Sequence, residues 1–232
     1  MIIAIHQPNY SPWAGYFYKL VKADLFIFLN DVQFSKNSFT NRTKVFNGHE
    51  YSWLTIPVKF NLGDRINQIK IAQEDWQQRH LSKIKNIYNK EPFFKENWQD
   101  IETLFNSLKQ LSLYEVNKKI VLTIATWLNI KFSYKESSSL PNKEGLKSED
   151  RLIDIIRQCN SKIYLSGAGA KQYQDIKKFN LAGVKLIYSD FLKVEKQNIS
   201  KLKNVKPGTS IIELIFKLGR ENTIKYLSLE AF

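Results

Sequence analysis

An imidazole, a carboxylate, an amine and a guanidinium, at His6, Asp31, Lys36 and Arg42, stand near the start of the chain beside short apolar runs. Together they are equipment for moving a small group between an anionic donor and an acceptor. The densest block is His6-Gln7-Pro8-Asn9-Tyr10-Ser11-Pro12-Trp13-Ala14-Gly15-Tyr16-Phe17. A histidine with its ordinary pKa near 6.5 serves as acid, base or phosphate donor around neutral pH. Gly15, early in the next segment, lets a ligand or another backbone come close, and a helix starting there presents its N-terminus to an anion. His6 and Gln7 are candidate site residues on these grounds, against a reading in which they only brace a rigid loop. Tyr10 and Tyr16 divide evenly between site and core, and Trp13 and Phe17 read as core.

A second block, Asp31-Val32-Gln33-Phe34-Ser35-Lys36 through Asn41-Arg42-Thr43-Lys44, gathers a carboxylate, two amides and two cations. That mixture suits an anion-accepting site, although a solvated loop with ordinary ion pairs has the same composition. Asp31 and Lys36 are the candidates for catalysis here, with Gln33, Asn41 and Arg42 for substrate binding. A third block pairs Arg151 with Tyr164-Leu165-Ser166-Gly167-Ala168-Gly169 and Tyr173. A strand running into Ser-Gly-x-Gly offers bare backbone N–H groups to a phosphate or carboxylate, so Arg151, Ser166, Gly167, Gly169 and Tyr173 join the binding set. Gly-x-Gly also serves any tight turn, and no Walker A, G-x-G-x-x-G or G-x-S-x-G pattern accompanies it. His80, four residues after Trp76, reads as a surface or core histidine.

Elements must hold these groups. Ile2 to Ile5 and Leu25 to Leu29 are apolar runs that read as buried strands. Between them, two prolines enforce a loop and Trp13 to Ala23 has helical spacing. The simplest form of this β–loop–α–β opening is a right-handed crossover in a parallel sheet, which sets His6 and Asp31 at strand carboxyl ends, where open α/β sheets bind ligands. Asn30 to Lys44 reads as a loop entering an edge strand, and Tyr51 to Val58 as a strand with Pro57 near its end. Helical spacing from Asp75 to about Asn129 predicts a helical insertion. Ser137 to Gly145 is rich in turn formers and reads as a linker. Ser148 reads as the cap of the next helix; Ile163 to Leu165 and Val184 to Tyr188 are further strands; Pro207-Gly208 makes a turn. Ser210 with Glu213 predicts a capping box for a last helix ending near Gly219. The expected architecture is α/β, a mostly parallel sheet flanked by helices. Residues 1–74 and 137–232 form the core and 75–136 the insertion.

Composition narrows the class. In 232 residues, 43% are hydrophobic and 25% charged, ordinary globular usage, and no apolar run reaches the roughly 20 residues of a membrane span. The first residues carry no basic stretch ahead of a long apolar one, so no signal peptide is expected and the expected location is cytoplasmic. Cys159 is the lone cysteine and the histidines are scattered (His6, His49, His80), so neither a disulfide nor a Cys/His metal cluster is expected. A net charge of +13 invites nucleic acid, but it is nearly all lysine spread from Lys19 to Lys225, without arginine–aromatic clusters. The expected partner is a small-molecule substrate such as a nucleotide-linked sugar, with no nucleic acid and no cofactor specified.

The chain resembles the WbqC-like protein family. The matching stretches are IHQPNYSPWAGYFYKL, DLFIFLNDVQFSKNSFTNRTKV, WLTIPVK, SEDRLIDI, YLSGAGAKQY and SIIELIFKLG, in order along almost the whole chain. The resemblance implies a role in bacterial surface-polysaccharide (O-antigen) biosynthesis, as a transferase of an aminoacyl group, glycyl being suggested, or an acyl group onto a sugar. It marks His6, Gln7, Asp31, Gln33, Lys36, Asn41 and Arg42 as motif residues without fixed roles. The opening β–loop–Gly–helix–β also looks like the HIGH-motif nucleotidyltransferases and pantothenate synthetase, implying a HUP-like Rossmannoid core. Tyr16 stands where those enzymes have a second histidine, and no KMSKS-like loop is present. Two alternatives stand beside the transferase: ATP-dependent adenylation before amide formation, and a non-catalytic partner in a polysaccharide assembly complex.

Overall fold

The computed structural model describes residues 1–142, 145–199 and 205–228. Strands β1 (Ile2–His6) and β2 (Leu25–Phe28) enclose helix α1 (Ala14–Lys22). Two antiparallel pairs come after them, β3 (Arg42–Phe46) with β4 (Tyr51–Thr55), then β5 (Val58–Lys59) with β6 (Lys70–Ile71). Helices α2 (Trp76–Tyr88), α3 (Phe94–Asn106) and α4 (Leu113–Trp127) come next. The chain continues through β7 (Ser133–Glu136), α5 (Ser148–Gln158), β8 (Ile163–Gly167), α6 (Ile176–Leu181), β9 (Lys185–Ser189), α7 (Phe191–Ile199) and α8 (Ile211–Leu227).

The central sheet has five strands in the order β7-β2-β1-β8-β9, every neighbouring pair parallel. A parallel sheet hides both faces, which is why β1 and β2 are apolar at successive positions rather than alternating. Ile3, Ile5, Leu25 and Ile27 pack on one face with Ile153, Ile156 and Phe179 of α5 and α6. Ala4, Phe26, Phe28 and Leu165 pack on the other with Phe17 of α1, Ile120 of α4 and Phe216 of α8. The result is a Rossmann-like three-layer α/β core. His6 shares its strand parity with Ala4, so it belongs to the layer of α1. From β1 the chain goes to β2 on one side and returns to β8 on the other, so the order reverses between β1 and β8.

Several local expectations are corrected. Tyr51 to Val58 is not one strand: Pro57 lacks an N–H, Ile56 donates to Asn41 O at 2.8 Å, and the chain leaves β4 for a new partner in β5. Ser137 to Gly145 is not a free linker where it begins, because Ser137 is fully buried and bonded to Asn30 and Asp31; Lys143 and Glu144 lie outside the described residues. Ser148 is the first residue of α5 rather than its cap, Lys147 holding the cap position. Ser210 does cap α8, accepting from Ile212 N, but Glu213 makes no capping box. Its carboxylate turns inward to Tyr88 Oη (3.0 Å) and Lys217 Nζ (2.9 Å). The helical conformation does break at Gly219, as expected, but that break is not the end of the last helix. That residue is a kink at φ 74°, with the Phe93 ring 2.9 Å from where a Cβ would sit, and the helix resumes to Leu227. β7 has no counterpart among the expected strands.

His80 is a core residue. Its Nε2 donates to Thr55 O at 3.2 Å, which leaves Nδ1 to accept from Tyr10 Oη at 2.7 Å. Burial lowers its pKa to about 4, consistent with a neutral ring. His80→Ala strands both partners and is expected to cost about 2–3 kcal/mol in urea unfolding. A loss below about 0.5 kcal/mol would contradict this placement.

Candidate functional site

A cleft of about 450 Å³ opens at the carboxyl ends of β1, β8 and β9. It lies where the strand order reverses, the position at which open α/β sheets bind ligands. Its floor is Ile5, His6 and Gln7 from β1 and its exit loop. Tyr164, Ser166 and Gly167 of β8, then Ala168, Gly169 and Ala170 after it, form one wall, with Ser189 at the end of β9. Trp13, Gly15 and Lys19 approach from α1, Phe191 and Leu192 from α7, and Leu29 and Leu152 close the remaining side.

His6 is partly buried and held by its neighbours. Its Nδ1–H donates to Gln7 O at 2.9 Å, and the edge of Tyr16 packs against the ring at 4.9 Å between centroids. With Nδ1 so engaged, Nε2 carries the lone pair. Burial, and secondly the positive charge of Lys19, push the imidazole pKa down to about 3. The free site therefore holds a neutral imidazole that accepts a hydrogen bond. In the ligand-free site a positive charge on His6 is disfavoured by burial and by the neighbouring lysine.

Lys19 is the residue that sequence reasoning passed over. It is 3% exposed, its Nζ has no hydrogen-bond partner among the described residues, and burial lowers its pKa to about 7. One signal was available: Lys19 comes four residues after Gly15, so both lie on one helix face, inside an otherwise apolar run. Gly15 is needed for a steric reason. A Cβ there would fall 2.2 Å from the Trp13 ring, so the glycine lets the indole lie across the start of α1. Trp13 stands at the N-cap without a side-chain cap hydrogen bond. The first N–H groups of the helix therefore receive no hydrogen bond from the cap side chain. Gln174 also lines the cleft, with its Oε1 buried and unpartnered.

Of the sequence candidates, the cleft collects His6, Gln7, Ser166, Gly167, Gly169 and Tyr173, the last 75% exposed at the rim. The others lie elsewhere. Tyr10 is buried against His80, and Tyr16 stands behind His6. Asp31 does not line the cleft; its carboxylate bonds Ser137 Oγ and, at 3.2 Å, Arg151. Asp31 lies two residues beyond the wall residue Leu29 and Arg151 directly before Leu152, so the pair braces the cleft side. Lys36 and Gln33 are exposed, and Gln33 bridges to Arg65 through backbone. Asn41 is buried with its Nδ2 on Ile56 O at 3.2 Å. Arg42 stacks on Trp53, 3.9 Å from the ring centre. The expected union of His6, Asp31, Lys36 and Arg42 in one basin is not what forms: the cleft opens where β1 meets β8, while Asp31 turns to Ser137 and Arg151 on the β2–β7 side of the sheet.

Among the described residues no helix is long and apolar enough to cross a membrane. The chain is 26% identical over 225 residues to an uncharacterized protein, Rv1507c, of Mycobacterium tuberculosis, covering 94% of each chain. No solved structure matches it significantly. The model of the WbqC-like protein family matches residues 7–225, from the loop carrying Gln7 to the last turns of α8. The chain that builds this cleft thus belongs to the WbqC-like protein family.

Proposed function

We propose that this protein is a transferase of bacterial surface-polysaccharide biosynthesis, moving an aminoacyl or acyl group onto a nucleotide-linked sugar in the cleft between β1 and β8. The observation that carries the reading is the cleft itself: a neutral imidazole with a bare Nε2, a Ser-Gly-x-Gly turn and a buried amine meet at the strand-order reversal. In this reading the turn and the start of α1 take the anionic part of the sugar nucleotide, as N–H groups at such positions suit phosphate. The exposed Tyr173 side chain stands where the sugar would leave the cleft. His6 Nε2 accepts the hydrogen bond of the acceptor amine or hydroxyl. That orients the acceptor's lone pair toward the acyl carbon; as the new bond forms and the bond from that carbon to its leaving group breaks, the acceptor's proton passes by way of Nε2 to the departing group.

The test is direct. Nucleotide-linked amino and neutral sugars are incubated with aminoacyl and acyl thioesters, or with amino acid and ATP, and products are monitored by mass. The wild type is expected to add the mass of the acyl group, and His6→Ala, with unchanged melting behaviour, to slow transfer by about 10²-fold or more. Wild-type rates in His6→Ala would reject the assignment. So would the absence of a mass gain with every pairing.

A further inference from the structure

We infer that Lys19 is the anion receptor of the cleft: it takes the phosphate of a nucleoside diphosphate against the Gly167–Gly169 turn. The inference rests on the cleft being the substrate site and deepens that reading. A buried amine without a partner is costly when charged, so what completes it must come from a ligand. Lys19 is 3% exposed, its Nζ is unpartnered among the described residues, and it faces the cleft. Across from it, a Cβ on Gly167 would stand 3.8 Å from that Nζ, and one on Gly169 would meet nothing within 4 Å. The turn therefore leaves open space beside the amine and exposes backbone there. No carboxylate is found among the described residues lining the cleft.

The titratable groups facing this space are His6 from β1, Tyr164 from β8 and Tyr173 beyond it. Of the helices packed on α1, α7 brings Glu195, buried with its Oε2 lacking a hydrogen-bond partner among the described residues, and α8 brings Glu213, bonded to Tyr88 and Lys217. Neither carboxylate serves Lys19. With its pKa near 7, the amine is mostly neutral at pH 8, so an arriving phosphate dianion is matched by one proton taken from solvent.

Calorimetric titration of the full chain with uridine diphosphate, and separately adenosine diphosphate, tests this at pH 8 in two buffers of different ionisation heat. The wild type is expected to take up close to one proton per nucleotide bound, with Kd rising about tenfold per pH unit above 7.5. Lys19→Arg is expected to bind without proton uptake and with a flat pH profile, and Lys19→Met to bind at least about tenfold more weakly. Proton uptake that persists in Lys19→Met overturns the inference, and so does failure of both nucleotides to bind wild type. Binding with the proton signature but without any transfer activity keeps it while sinking the transferase reading. Undiminished transfer by Lys19→Met at subsaturating substrate sinks the inference alone.

Discussion

Lys19→Met is expected to make the ligand-free protein more stable, by about 2–4 kcal/mol at pH 7, or roughly 5–10 °C in Tm. The ammonium that an unfolded chain carries freely must be shed or desolvated when α1 docks on the sheet, and that drives the pKa from 10.5 to about 7. Such a shift corresponds to about 4 kcal/mol against folding at pH 7, before relaxation reduces it. Methionine keeps most of the stem and its packing while removing the charge. Thermal and urea unfolding of both proteins decide the matter, and a destabilised or unchanged variant would mean that Lys19 is solvated or paired in solution. A gain in stability on deleting a polar side chain is the pattern of a group held for function rather than for the fold.

The same residue sets the sign of the pH dependence. Between pH 7 and 10.5 the unfolded state binds the Lys19 proton and the folded state does not, so stability contributed by this group rises with pH across that window. In Lys19→Met that slope is absent. At lower pH, His6 and His80 act in the same direction. Their folded pKa values, lowered to about 3 and about 4, lie below the ordinary 6.5, so stability falls as pH drops from 6.5 toward them.

The β1–α1–β2 opening was legible because each of its signals is local. Apolar runs mark buried strands, and Pro8 and Pro12 confine the helix to residues beyond the second proline. Half of the cleft was legible for the same reason: His6, Gln7, Ser166 and Gly167 all stand at or just beyond strand ends. Which strand ends become neighbours is not local. The order β7-β2-β1-β8-β9 joins the His6 loop to the Gly167 turn and leaves Asp31 beside α5. β7 escaped notice since Ser133-Tyr134-Lys135-Glu136 pairs with β2 through backbone and has no apolar run to announce it. Lys19 escaped because a lysine in a basic chain reads as solvated; its burial comes from the packing of α1 against the sheet and the later helices. Gly219 reads as a helix end by residue type and does break the helix; what the sequence hid is the second helical segment that follows once its positive φ has admitted Phe93.

Arg151→Met should be the most damaging single change outside the hydrophobic core, at about 3–5 kcal/mol in denaturant unfolding. The guanidinium is 3% exposed and gathers chain ends from three places. It donates to Asp31 Oδ2 (3.2 Å), Asp154 Oδ2 (2.9 Å) and the carbonyls of Pro141 (2.8 Å), Ser137 (3.0 Å) and Leu140 (3.2 Å). Removing it leaves Asp31 as a nearly buried carboxylate with Ser137 as a remaining partner, and takes the donor from Leu140 O, while Pro141 O keeps Gln158 Nε2 and Ser137 O keeps Leu140 N. The double variant Asp31→Asn/Arg151→Met removes the orphaned charge, so it should recover part of the loss, a coupling of about 1–3 kcal/mol. Additive effects of the two changes would contradict this account of the pair. The same variants separate bracing from chemistry. A catalytic Asp31 predicts that Asp31→Asn keeps its stability and loses turnover. The geometry predicts lost stability first, with turnover falling only as far as the walls at Leu29 and Leu152 shift.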